Sequence, residues 1–151
     1  MTLTQRNLVL LATLGSVALI GGALVFQALG YAPCKLCYYQ RYPHWAAIAI
    51  GAVALVTGWR ALPWLGALAA ATTAGVGVYH AGVEQKWWEG PSTCTTSGSL
   101  GQMTLDDIMN APLIRCDEIA WQFLGISMAG WNAVISAVLV AIWLKAALAK
   151  A

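Results

Sequence analysis

Four cysteines have the most distinctive chemistry in this sequence, and two of them form a close pair. Cys34 and Cys37 stand three positions apart in the segment PCKLCYYQR, and Arg41 follows four positions after the second. Cys94 and Cys116 lie farther along the chain and much farther from each other. Thiolates exchange disulfides, bind metal ions or form static crosslinks, so these residues are the candidate site.

The close pair is predicted to lie at the start of a helix. Pro33 suits a first helical turn, where its missing N–H does no harm, and a helix that begins there places Cys34 and Cys37 on one face. The unpaired amides and the dipole at this end lower the pKa of a thiol and favour the reactive thiolate. Pro43 is expected to kink or restart the helix beyond the pair.

Arg41 faces the same side of the predicted helix as Cys37, because it lies four residues farther on. A cation near an apolar boundary is unfavourable, which leaves two interpretations open. In the first, the side chain extends to the lipid headgroups. In the second, it stabilises a thiolate or a reduced electron acceptor held at the membrane edge.

The sequence leaves three uses for the four cysteines open. A metal site built from all four thiolates would normally need a second close pair, whereas Cys94 and Cys116 are far apart and no histidine lies between them. Two static disulfides are the second use. The third, which we favour, is two exchanging pairs, one anchored at the membrane and one on a loop rich in Gly, Ser and Thr. We therefore predict no bound metal.

Composition indicates the elements that must position these thiols. The chain has 151 residues, of which 60% are hydrophobic and only 9% charged, and its mean hydropathy is +0.68. Soluble domains carry about 25% charged residues, so lipid is the expected solvent. Long apolar runs without alternation must be helical in lipid, because every backbone group has to be paired internally. The prediction is an all-α membrane protein, a four-helix bundle with spans at about 8–30, 43–58, 62–83 and 120–144.

Four spans place both termini on one side and two loops, about 31–42 and 84–119, on the other. Lys and Arg number four on each side, and the shorter segments of the terminal side favour the cytoplasm only slightly. All four cysteines fall in the two loops, which indicates an oxidising compartment and therefore the periplasmic face of a bacterial inner membrane. Within the long loop, apolar residues near helical spacing predict a short amphipathic interfacial helix, with an irregular loop as the alternative. These residues are Leu100, Met103, Leu105, Ile108 and Met109.

Two histidines lie near the predicted site. His80 and Glu84 are four positions apart at the outer end of the third span, where they form either an interfacial pair or part of a functional pocket. His44 follows Pro43 and could also lie near such a pocket, although an interface contact is the favoured interpretation.

Three segments, PCKLCYYQR, YHAGVEQKWW and RCDEIAWQFLGISMAGWN, resemble those of the bacterial disulfide bond formation protein B (DsbB) family. The resemblance covers nearly the whole chain, with a CxxC after the first span and a second cysteine pair between the third and fourth. The vitamin K epoxide reductase family is related in function. There, however, the membrane-embedded CxxC follows the loop cysteines, whereas here it precedes them.

The resemblance implies a protein-dithiol:quinone oxidoreductase of the bacterial inner membrane. Cys94 would form the mixed disulfide with a periplasmic DsbA-like thiol oxidase, and Cys116 would then engage Cys34. Cys37 would pass the electrons to a quinone (ubiquinone or menaquinone).

In the same scheme, Arg41 lies beside the quinone and His80 at its pocket. Membrane lipid is a partner and nucleic acid is not. The alternatives are a quinone-linked oxidase of a different, dedicated thiol partner and a non-catalytic membrane scaffold with two static disulfides.

Overall fold

Four long helices make up most of the computed structural model, which describes residues 1–91, 94 and 114–149. They are α1 (Leu3–Ala28), α2 (Lys35–Thr57), α3 (Leu62–Glu84) and α4 (Met128–Leu148). α1 and α3 each pack against both α2 and α4, so the four helices form a closed bundle. The predicted interfacial helix, at 100–109, lies outside the described residues.

The outer surface of the bundle is apolar. Each helix exposes large hydrophobic side chains, among them Leu14, Val56, Leu68 and Val138. Apolar patches of this extent are rare on soluble monomers, and lipid is the solvent in which they are stable. Three helices, α1, α3 and α4, are long and apolar enough to cross a membrane. The N-terminal half of α2 is polar, so its crossing remains a prediction.

Small residues bring the helices close together. Gly66 of α3 faces the fully buried Trp143 of α4, and a Cβ atom at Gly66 would lie 2.6 Å from the indole ring. On the opposite pair of helices, Gly51 of α2 receives the side chain of Thr13 from α1. Such contacts replace hydrophobic burial as the source of helix association in lipid, because the lipid chains are as apolar as the side chains.

α2 begins at Lys35, two residues after the start expected at Pro33 and eight residues before the predicted span at about 43. Its N-cap is Cys34, in an extended conformation, and the helix runs without interruption from Lys35 through Pro43. The expected start at Pro33 was wrong because the Cys34 sulfur itself accepts the Cys37 amide and caps the helix. Most of the predicted first loop, 31–42, is therefore helical, and Pro43 neither ends nor restarts the helix.

The fourth helix also begins later than predicted. Between about residue 120 and its start at Met128, the chain forms a hairpin of two short strands, Gln122–Phe123 and Ile126–Ser127. Phe123 pairs with Ile126 in antiparallel register across a turn in which Leu124 and Gly125 have φ angles of 53° and 77°. Because helical residues need negative φ, this left-handed turn prevents the apolar residues before Met128 from joining the helix. The all-α prediction therefore needs one small hairpin added.

Candidate redox site

The CxxC pair sits at the first turn of α2. The Sγ atoms of Cys34 and Cys37 lie 2.7 Å apart, and both residues are free cysteines. The Cys37 amide donates a hydrogen bond to the Cys34 Sγ atom at 3.2 Å. Cys34 is buried, whereas Cys37 is only partly so. The predicted placement of both thiols within one turn therefore matches the structure, although Cys34 lies at the cap rather than inside the helix.

The two thiols differ in acidity. The hydrogen bond between them raises the pKa of Cys34, which burial raises further. The same hydrogen bond lowers the pKa of Cys37 below its ordinary value, and the nearby Arg41 charge lowers it as well. Cys37 therefore deprotonates at lower pH than Cys34. Of the pair, Cys37 is the one whose pKa favours the thiolate, which is the reactive form of a cysteine.

The second pair is a disulfide between Cys94 and Cys116. Both of its cysteines are buried in one cluster with Cys34, Leu36 and Val83. The two cysteine pairs, far apart in sequence, are therefore neighbours in space. Cys94 and Cys116 also line a separate cavity of about 390 Å³, with Trp87 and Trp88 in its wall.

Charged side chains hold the segment that contains Cys116 against the end of α3. Lys86 donates to the Asp117 backbone oxygen at 2.8 Å and pairs with its carboxylate. Arg115 binds the same carboxylate at 3.0 Å. The Arg115 guanidinium first, and the Lys86 ammonium second, hold the pKa of Asp117 well below its usual range. These pairs are solvent-exposed and fix position more than they stabilise the fold.

His80 of α3 reaches the CxxC pair. Its Nε2 atom lies 3.6 Å from the Cys34 Sγ atom and 3.9 Å from Oε1 of Glu84. Its Nδ1 atom lies 2.6 Å from Nε2 of Gln40 on α2. The His80–Glu84 pair is thus not isolated at the interface, because the same imidazole contacts a thiol and an amide from another helix.

Arg41 connects α2 to α1 at the edge of the site. Its guanidinium donates to Oε1 of Gln27 at 2.8 Å and to the Ala23 backbone oxygen at 3.3 Å. It also lies 5.5 Å from the centre of the Tyr38 ring. These contacts give the guanidinium a defined position beside the site.

A cavity of about 420 Å³ opens between the helices at this end of the bundle. Four residues predicted for the site, Cys34, Cys37, Arg41 and His80, line it together. Apolar side chains from α1, the hairpin and α4 complete its wall, including Ile20, Phe26, Phe123 and Met128. Cys94 and Cys116 do not line this cavity and contact it only through the cluster around Cys34.

Buried hydrogen bonds connect all four helices around this cavity. His44 is 2% exposed, donates from Nε2 to Oδ1 of Asn132 at 3.0 Å and accepts from Ser16 at 3.3 Å. Asn132 in turn donates to Thr73, and Thr73 donates to the Gln40 backbone oxygen. The interface contact expected for His44 was wrong, because polar groups of two neighbouring helices, α1 and α4, draw its ring into the bundle.

Sequence reasoning missed Gln40 and Asn132 as cavity residues, and for His44 it gave the pocket only as the second interpretation. Gln40 and His44 had a detectable signal, since they follow Cys37 by three and seven positions and so share its helical face. Asn132 had none, because its position opposite α2 depends on helix packing.

Fold and site define a class of protein, a helical membrane protein that holds a free CxxC pair and a disulfide side by side at one end of its bundle. The family model of Disulfide bond formation protein DsbB matches residues 5–146. The chain belongs to the DsbB family.

Curated relatives agree with this assignment. The chain is 31% identical over 134 residues to Disulfide bond formation protein B of Shewanella sp. (strain MR-4), which covers 83% of this chain and 77% of the relative. It is 31% identical over 157 residues to the protein of the same name from Polaromonas naphthalenivorans (strain CJ2), and the match covers 96% of this chain and 93% of that relative. Disulfide bond formation protein B 1 of Pseudomonas putida is 32% identical over 151 residues, and the match covers 91% of this chain and 86% of that relative. No solved structure matches the chain at comparable significance.

Proposed function

We propose that this protein oxidises the dithiol of a soluble, periplasmic DsbA-like thiol oxidase and passes the two electrons to a membrane quinone. One observation carries the proposal. The two cysteine pairs pack in a single cluster, and the free pair borders a cavity between lipid-facing helices. Such an arrangement joins a water-soluble thiol substrate to a lipid-soluble electron acceptor.

The cavity suits a quinone ring. Its volume of about 420 Å³ lies within the range of about 300–1,000 Å³ found for small-molecule sites, which are mostly apolar with few polar groups. Here the polar groups include Arg41, His80 and the two thiols, all at one end of an apolar wall. When bound, the quinone supplies an acceptor for two electrons and two protons.

Electrons enter at the Cys94–Cys116 disulfide. A thiolate of the partner attacks the Cys94 sulfur and releases the Cys116 thiolate, and the second partner thiolate then closes the partner's own disulfide and frees Cys94. The Cys116 thiolate attacks Cys34 of an oxidised Cys34–Cys37 pair and releases the Cys37 thiolate. Attack by Cys94 on Cys116 restores the loop disulfide and leaves Cys34 and Cys37 reduced.

The arrangement in the structure corresponds to this last state, since Cys94–Cys116 is a disulfide and the CxxC pair is free. In this state Cys37 is the thiolate and Cys34 the thiol. When the CxxC disulfide re-forms, two electrons leave the pair and Cys34 releases its proton. His80 Nε2 is the ring atom that faces Cys34, and its N–H stabilises the Cys34 thiolate once that proton has left. Arg41 stabilises the negative charge that develops in the cavity.

The chemistry also gives an orientation. Exchange with a soluble thiol oxidase requires the cysteine end of the bundle to face the periplasm and both termini the cytoplasm of a bacterial inner membrane. A scaffold with two static disulfides would make no use of the cavity beside Cys34 and Cys37.

Two cysteine variants test the order of the relay. We expect Cys37→Ser to abolish reduction of a soluble ubiquinone analogue when a reduced thiol oxidase is mixed with the purified protein. We expect Cys94→Ser to abolish oxidation of that partner, while a small dithiol still drives quinone reduction through the intact CxxC pair. Quinone reduction at the parental rate by Cys37→Ser would refute the proposal.

A further inference from the structure

Cys34, Cys37 and His80 form a cluster whose ligand chemistry goes beyond disulfide exchange. One metal-binding atom from each residue lies within 4.8 Å of the others. Glu84 adds a carboxylate, with its side chain only 6% exposed and its Oε1 atom 3.9 Å from His80 Nε2. Its Oε2 atom is buried and has no hydrogen-bond partner among the residues that the structure describes. We propose that these four side chains bind a zinc ion whenever the CxxC pair is a dithiol.

The geometry suits tetrahedral zinc. Ligand atoms around such an ion lie about 3.3–3.8 Å apart, given Zn–S and Zn–N distances of about 2.3 and 2.0 Å. The Cys34–His80 and His80–Glu84 separations of 3.6 and 3.9 Å are close to these values. The sulfurs, 2.7 Å apart, must separate by about 1 Å. A rotation about the Cα–Cβ bond of Cys37 achieves this, because Cys37 borders the cavity.

The groups around the cluster support metal binding. A ligating histidine normally has its second ring nitrogen held by an acceptor, which fixes the tautomer. Gln40 lies at that nitrogen, and rotation of its amide presents Oε1 to the Nδ1–H group. Two thiolates, one carboxylate and a dication sum to a single negative charge, which the nearby Arg41 balances.

The proposed site exists in only one redox state. Zinc binding displaces the two thiol protons and changes no oxidation state, whereas formation of the Cys34–Cys37 disulfide removes two electrons and both thiolates. The ion and the disulfide therefore exclude each other. Bound zinc would keep the pair reduced and cover the sulfurs at the cavity wall. This site differs from the four-thiolate site considered from sequence, since His80 and Glu84 from α3 replace Cys94 and Cys116.

Cobalt is the probe that tests the site, because tetrahedral thiolate–cobalt complexes absorb visible light. The full chain, free of any histidine tag, is purified in detergent with Cys94 and Cys116 both replaced by serine, so that only the CxxC thiols remain. We expect one Co²⁺ per chain to bind the dithiol form, with displacement by one equivalent of Zn²⁺. The same protein oxidised to the Cys34–Cys37 disulfide is the matched control and should bind none.

Ligand variants assign the donor atoms. His80→Asn and Glu84→Gln should each raise the Kd for Co²⁺ at least 10-fold, whereas Glu89→Gln, an exposed carboxylate outside the site, should leave it unchanged. Absence of binding to the dithiol form, equal binding to the disulfide form, or an unchanged Kd in Glu84→Gln would each overturn the proposal. The readout requires no quinone. If the protein binds cobalt in this way but reduces no quinone, the zinc site is supported and the proposed function is refuted.

Discussion

The Nε2 atom of His80 lies 3.6 Å from the Sγ atom of Cys34, although 46 positions separate the two residues in the chain. The other ring nitrogen, Nδ1, accepts from the Gln40 side chain at 2.6 Å. Gln40 therefore keeps the proton of the neutral ring on Nε2, facing the sulfur. The Cys34 sulfur, an imidazole N–H and an orienting amide thus stand in line, an arrangement that stabilises a thiolate at Cys34.

Loss of the orienting amide should slow the redox reaction. Gln40→Met removes the hydrogen bond to Nδ1 and releases the His80 tautomer, and we expect oxidation of the Cys34–Cys37 dithiol by a quinone analogue to slow about 10-fold, the equivalent of one hydrogen bond. Single-turnover stopped-flow kinetics measure the rate. Gln85→Met, at an exposed position after α3, is the control and should react like the parent. A parental rate in Gln40→Met would show that Gln40 does not orient the ring.

The two CxxC thiols should titrate in a fixed order. The pKa of Cys37 is lowered mainly by its hydrogen bond with Cys34, so the Cys37 thiolate persists as the pH falls, until the pH passes below that lowered pKa. The raised pKa of Cys34 keeps that thiol protonated to higher pH. Alkylation by iodoacetamide between about pH 6 and 10, followed by mass spectrometry of each cysteine, should show Cys37 reacting with the lower midpoint.

A variant checks the cause of this order. Cys34→Ala removes the hydrogen bond, so the midpoint for Cys37 should rise towards the ordinary thiol value. Serine in place of both Cys94 and Cys116 keeps the other thiols out of the measurement. Earlier titration of Cys34 than of Cys37 would contradict the assignment.

Arg41 should contribute to acceptor binding. Its guanidinium is held at the cavity by Gln27 and the Ala23 backbone oxygen. Arg41→Ala removes a charged hydrogen-bond donor, so we expect the apparent Kd for a quinone analogue to rise about 10-fold or more. Arg60→Ala is the control, since Arg60 bonds the Ala149 backbone oxygen and does not line the cavity. Unchanged affinity in Arg41→Ala would favour a role limited to lipid headgroups.

Close packing in the bundle makes a prediction about two glycines of α3. Gly66→Ala would place a methyl group against the buried Trp143 ring. We expect the free energy of unfolding to fall by about 1–3 kcal/mol. At Gly75 a Cβ atom meets nothing within 4 Å, so alanine should be neutral or stabilise by about 0.5–1 kcal/mol through helix propensity. Thermal unfolding in detergent measures both variants. Equal unfolding temperatures for the two would contradict the observed contact between α3 and α4.

The fold could be predicted in outline because lipid imposes a simple rule on the sequence. Long apolar runs without charge predict helices, and four helices occupy the predicted regions. The rule does not locate helix ends, since it reads hydropathy and not backbone geometry. It therefore failed at residues 120–127, where a left-handed turn at Leu124 and Gly125 interrupts an apolar run. The start expected at Pro33 had another basis, the preference of proline for a first helical turn, and it was wrong because a cysteine can cap a helix through its sulfur.

For the candidate site, the sequence alone determined which residues share the first turns of α2. Cys37, Arg41 and His44 recur at helical spacing, and a helix of fixed pitch must place them on one side. Only the tertiary structure decided what meets that side. His80 and Glu84 come from α3, Asn132 from α4 and the disulfide from the segment between them. Helical periodicity is a local property of the backbone, whereas the approach of one helix to another depends on side-chain packing along the whole bundle.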